Sequence, residues 1–288
     1  MTRIAGLRMA PVLALAAALA APLLAQERAA ETFEVASVRI NRTGDRTSFI
    51  NTEPGGRFIA TNMPLRTLIT SAYELRSFEL IGAPDWTGAE RFDIVARAAR
   101  EFGPATPGRP DPDKLMLRSL LADRFALRVH RETRELPIYA LTPARADGRL
   151  GPRIRRSQTG CAAWRAAVPA ASGPPQPRAA VGERPPCFMR SGYGTLVVNG
   201  YPIDELRGML SSFVGRTVVD RTGLTGEWDL DFTWTPDEPS RAATPPAVDP
   251  NGPSLFTALQ EQLGLKLEST KGPVEVLVVD RVERPSED

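Results

Sequence analysis

Two aspartates at matching places in the chain come first among the residues that could do chemistry. Asp93 stands in "RFDIVA" and Asp229 in "EWDLDF", each beside an aromatic on an alternating run. Paired carboxylates are the one hydrolytic route that needs no histidine. The alternation, however, puts each acid on the face opposite Phe92, Ile94 and Ala96, or Trp228, Leu230 and Phe232, where a solvated carboxylate is expected. The one histidine, His130, lies in "LRVHRE" and is expected to face solvent near a strand end. There is no G-x-S-x-G elbow, H-E-x-x-H helix, P-loop or dinucleotide fingerprint. No catalytic residue is assigned on this basis, and no cofactor is expected. Two cysteines and one histidine are too few for a closed zinc site, so no metal is expected either.

Cys161 and Cys187 lie in "TGCAAW" and "PPCFMR", with no base nearby to activate a thiol. For an exported chain the simplest reading is one disulfide closing a loop of about 26 residues. In "VVDRTGLTGEWD", Asp220 can cap an Asx turn while Gly223 and Gly226 take positive φ. A tight turn of this kind would expose Arg221 and Thr222, the candidate binding residues, although a plain turn between strands accounts for the same residues.

The net charge of +2 gives no field for a polyanion. All but Lys114, Lys266 and Lys271 of the 36 basic residues are arginine, so a small cluster such as Arg149, Arg153, Arg155 and Arg156 is weak evidence for phosphate binding. Nucleic acid is therefore not an expected partner. The start of the chain carries Arg3 and Arg8, then the apolar run "APVLALAAALAAPLLA", then polar "QERAAE". This pattern predicts a signal peptide over 1–25, an exported, periplasmic or secreted protein, and no stable membrane span after cleavage.

The elements that position these residues occur twice. "GRFIATNMPLRTLITSAYEL" from Gly56 matches "GTLVVNGYPIDELRGMLSSF" from Gly194 at an offset of 138 residues. "LADRFALRVH" from Leu121 matches "LQEQLGLKLE" from Leu259 at the same offset, and "PIYAL" from Pro137 matches "PVEVL" from Pro273 at 136. The order repeats across segments, which predicts an α+β fold, internally duplicated. It comprises two similar mixed-sheet halves over 33–143 and 192–283, each with two helices, related by a pseudo-twofold. In each half a strand leads through a proline into a helix, with Leu65, Leu68, Ile69 and Ala72 facing inward in the first and Ile203, Leu206, Leu210 and Phe213 in the second. Each half is expected to end in two strands in hairpin order. The Pro- and Arg-rich stretch 144–191 between them, lacking apolar periodicity, is expected to be a linker.

"FEVASVRIN", "PGGRFIATNMPLRTLITSAYEL", "LRSLLADRFALRVHRETRELPIYAL" and "LFTALQEQLGLKLESTKGPVEVLVVDRVERP" together resemble a large family of exported, soil-associated proteins of unknown function, expanded in the Acidobacteria. Some members of that family are fused to a membrane metallopeptidase of the antirepressor type. The resemblance implies an extracytoplasmic sensing or partner-binding role, with an envelope protein as the expected partner. The peptidase activity is not implied, because this chain lacks H-E-x-x-H. A fainter similarity, at the level of fold, is to the strand–helix–strand modules of secretins and TonB-dependent receptors. The function expected is a non-enzymatic binding or sensing module; a secreted hydrolase using Asp93 and Asp229, or a structural envelope component, is the alternative.

Overall fold

The computed structural model describes residues 31–45, 47–103, 109–158, 160–163, 187–237 and 249–285. The leader expected over 1–25 lies outside them, as do 104–108, 164–186 and 238–248 of the three proline-rich stretches. Among the described residues the fold is mixed α+β with three four-stranded sheets. The chain divides into two compact units, residues 1–130 with 278–288, and 131–277. The division cuts two long strands, β6 (Arg128–Pro143) and β12 (Leu265–Arg281), after His130 and before Val278.

The first unit is built on β1 (Val35–Ile40), β2 (Phe49–Glu53), β3 (Arg57–Pro64) and β5 (Arg91–Arg97), antiparallel in the order β1-β5-β3-β2. Alternation sends Phe58 and Ala60 of β3, and Phe92, Ile94 and Ala96 of β5, to one buried face. α1 (Leu65–Tyr73) starts after Pro64, whose extended backbone (φ −63°, ψ 143°) makes it the N-cap. Its Leu65, Leu68, Ile69 and Ala72 are buried, the 3.6-residue stripe that the sequence predicts. α3 (Pro112–Arg124) lies beside it, and Arg118 Nε donates to the Ala72 carbonyl at 2.7 Å, satisfying an otherwise free acceptor at the end of α1. At the end of α3, Phe125 is fully buried and meets Phe92 edge-on, centroids 5.1 Å apart. Between these elements lie the short β4 (Leu80–Ile81) and the one-turn α2 (Trp86–Ala89).

The second unit has a sheet of β7 (Ile154–Arg156), β8 (Phe188–Gly192), β9 (Thr195–Pro202) and β11 (Glu227–Thr233), antiparallel in the order β7-β11-β9-β8. α4 (Ile203–Val214) follows Pro202 and buries Ile203, Leu206 and Leu210. β10 (Val218–Asp220) pairs in parallel with Tyr139–Leu141 of β6. α5 (Leu255–Ala258) is capped by Ser254, which accepts the Thr257 N–H, and runs on as a π turn over Leu259–Leu263. Trp228, Leu230 and Phe232 of β11 pack with Leu259, Leu263 and Leu265 in one core.

Three expectations differ from this architecture. The two strands expected in hairpin order are one continuous strand in each case, β6 and β12. The polar run "RETRE" interrupts the apolar alternation, but its residues are exposed or half-buried strand positions whose charges pair outward: Arg131 with Glu275 and Arg134 with Glu132. In β12, Gly272 keeps the strand unbroken where a Cβ would come within 2.6 Å of Ile138 Cδ1. The stretch 144–191, expected to be a linker, holds β7, buried Ile154, and the start of β8. Three residues are too few to register as a periodic strand, although they pair with β11. Finally, the compact units are not the two sequence halves, because 278–288 belongs with the first unit and 131–143 with the second.

Candidate functional site

Asp93 and Asp229 sit opposite irregularities in their sheets. The pairing of β3 with β5 shifts between Ala60 and Met63, so two residues of β3 face one of β5. The extra residue, Asn62, has φ 54°, and its N–H donates to Asp93 Oδ1 at 2.8 Å. The pairing of β9 with β11 shifts likewise between Trp228 and Leu230. There Gly200 has φ 79° and its N–H donates to Asp229 Oδ1 at 3.0 Å. Each carboxylate thus satisfies an amide that the bulge removes from the ladder. Asp93 also accepts both 2.9 Å bonds from Asn41 Nδ2, and Asp229 pairs with exposed Arg155 at 3.3 Å.

His130 is about half exposed and its Nδ1 lies 2.8 Å from Asp280. The turn after β10 has the expected chemistry, with Asp220 Oδ1 accepting the Thr222 N–H at 2.8 Å and positive φ at Gly223 and Gly226. Arg221 is exposed there. Thr222 is buried instead, its hydroxyl accepting the Leu224 N–H at 3.0 Å, because the turn uses that oxygen to close itself. Cys161 and Cys187 are disulfide-bonded, with Cα atoms 4.7 Å apart. The bridge is tied to the sheet through Tyr201, whose hydroxyl donates to the Cys187 carbonyl, and through Glu227, which accepts the Ala162 N–H. Among the described residues no group of three His, Cys, Asp or Glu is placed to hold a metal, and no helix is long and apolar enough to cross a membrane.

The feature with the character of a binding site is one the sequence reading missed. In the second unit Tyr139, Phe213, Trp234 and Phe256 line a cavity of about 470 Å³, within the range of small-molecule sites. Trp234 extends β11 and stacks on Phe232 at 4.9 Å, which fixes its ring from below. Phe213 leans on the same indole at 5.1 Å, and Tyr139 meets Phe256 edge-on at 5.5 Å. Phe213 and Phe256 remain more than a third exposed, although both are large apolar side chains. The rim is tied down by Thr235, whose N–H donates to the Pro253 carbonyl and whose hydroxyl donates to the Asp249 carbonyl. Helical spacing assigns Phe213 to the core of α4, yet it is the last buried-face position before Gly215 ends the helix and therefore reaches past the sheet edge. The available signal was the aromatic pair Phe232 and Trp234, one strand period apart on the inward face.

Shifted ionisation lies elsewhere. A hydrogen bond from Lys266 holds the exposed Glu268 carboxyl below the usual carboxylate range. Asp204 and Glu90 raise the Arg207 and Arg284 guanidinium groups through hydrogen-bonded pairs. These are ion pairs of the kind that decorate surfaces rather than acids or bases poised for proton transfer.

A family model described as "Protein of unknown function (DUF3738)" matches residues 66–282. No curated protein and no solved structure matches the chain.

Proposed function

The chain belongs to the DUF3738 family, and we propose that it is an exported, non-enzymatic module that binds a small ligand in the aromatic cavity of its second unit. The observation that carries the proposal is the cavity itself, about 470 Å³ with four aromatic rings on its wall, two of them left substantially exposed. Leaving Phe213 and Phe256 in water forgoes about 25 cal/mol for each Å² of apolar surface, which a ligand entering the cavity would recover. The pinned rim supports the same reading, because a site already held in shape loses little entropy on binding. Export rests on the leader pattern of the first 25 residues, and a sensing role toward an envelope partner rests on the family resemblance.

The proposal includes an ancestral duplication. Three correspondences support it: the 138-residue offset, the recurrence of strand–proline–helix at Pro64 and Pro202, and the bulge-and-aspartate pairs Asn62–Asp93 and Gly200–Asp229. One half of such a pair can keep a purely structural part while the other supplies most of a site, as the second half does here with Phe213, Trp234 and Phe256.

Ligand-observed saturation-transfer spectra with phenol, indole, benzyl alcohol and cyclohexanol test the binding function. Signals are expected for the ring compounds with the unaltered chain, and their loss in the Phe213→Ser, Phe256→Ser double variant. Equal signals from both proteins, or none from either with neutral and cationic probes alike, would contradict it.

A further inference from the structure

We infer that the ligand of this cavity is an organic cation, with a quaternary or alkylated ammonium group seated among Phe213, Trp234 and Phe256. The inference rests on the cavity being a binding site and adds the charge of what it takes. Aromatic faces carry the negative lobe of the ring quadrupole, so rings gathered round a space attract a positive group into it. Among the described residues the charged side chain on the cavity wall is an acid, Asp237, exposed at the rim. Among the described residues no arginine or lysine lines the wall, although the chain has 36 basic residues to draw on.

The polar groups at the rim point to the same conclusion, because they are occupied. The Thr235 hydroxyl is spent on the Asp249 carbonyl at 2.6 Å, and the Ser254 hydroxyl caps α5. Beyond these and the Tyr139 hydroxyl, what the described residues of the wall offer a ligand is π surface and one carboxylate. A cation with an apolar skin satisfies both, since its methyl groups fill apolar space while its charge meets the rings and Asp237. An anion would face the acid and the negative faces of the rings. Tyr139 is a special case: the Arg216 guanidinium already lies 4.9 Å from its ring centroid. One ring of the four therefore holds a cation of the chain's own, which leaves the other three for the ligand and puts the ammonium group on the Phe213–Trp234 side.

The test compares choline with 3,3-dimethylbutan-1-ol, in which carbon replaces the charged nitrogen at nearly constant shape. Both are titrated into the full chain and followed by tryptophan fluorescence and calorimetry. Choline is expected to bind saturably and at least about tenfold more tightly than the neutral isostere, the size of a partly desolvated cation–π contribution. Asp237→Asn is expected to weaken choline several-fold without changing the isostere. Phe213→Ser, at a position more than a third exposed where the fold does not depend on full burial, is expected to weaken both. Equal affinity for choline and isostere overturns the inference while leaving the cavity as an apolar binding site. Binding of neutral rings with no binding of choline overturns it in the same way. If neither class binds, the binding function falls together with it.

Discussion

Asp93 accepts the backbone N–H of Asn62 through Oδ1 at 2.8 Å, across a bulge that pulls that amide out of the β3–β5 ladder. The same oxygen of Asp229 receives the N–H of Gly200 in the second unit at 3.0 Å. Residues that look like a catalytic pair by type and position are thus engaged by their own sheets.

Removing the acid leaves the amide unsatisfied. Asp93→Ala also strands Asn41 Nδ2, so chemical denaturation is expected to report a loss of about 1–3 kcal/mol. An unchanged midpoint would mean that the bulge holds without the carboxylate.

The bulge position also constrains the backbone. Gly200 sits at φ 79°, so Gly200→Ala is expected to cost about 1–2 kcal/mol in the same measurement. Gly200→Asn should cost less, since asparagine tolerates this region and Asn62 already occupies the matching bulge of β3 at φ 54°.

Phe125 packs edge-on against Phe92 with no exposed surface. Phe125→Ala is expected to lower stability by about 3–5 kcal/mol, through lost transfer energy and the cavity left behind. A loss below 1 kcal/mol would indicate that the helix end is not anchored by this contact.

The Cys161–Cys187 bridge closes a loop across a separation of 26 residues. Thiol titration of the denatured, unreduced chain is expected to find no free cysteine. Replacing both cysteines by serine should cost about 3 kcal/mol by loop entropy. Two titratable thiols would contradict the pairing.

How far the sequence could be read depended on the length of the signal. α1 was legible because Leu65, Leu68, Ile69 and Ala72 repeat over two turns, and the burial of those four residues follows the pattern. β7 was not, because three residues carry no period, and only its partner β11 reveals it. β6 and β12 were split in two because charged residues on an exposed strand look like a turn when their partners are far away in sequence, as Glu275 is from Arg131. The turn after Asp220 was legible in its Asx geometry but not in the fate of Thr222, whose hydroxyl the turn consumes. Asp93 and Asp229 were legible as a matched pair; their role was not, since a bulge is visible only once two strands are in register. The cavity escaped notice because its four rings come from positions 139, 213, 234 and 256, which no local spacing connects.

The central claim, that the aromatic cavity of the second unit is a binding site, is tested most directly by aromatic carbon–proton correlation spectra recorded while benzyl alcohol is titrated into the chain. Saturable shifts at Phe213, Trp234 and Phe256, with Phe58, Phe92 and Phe125 of the first unit unmoved, are the predicted result. Shifts spread equally over both sets, or no movement of the three cavity rings with saturating benzyl alcohol and choline alike, would contradict it.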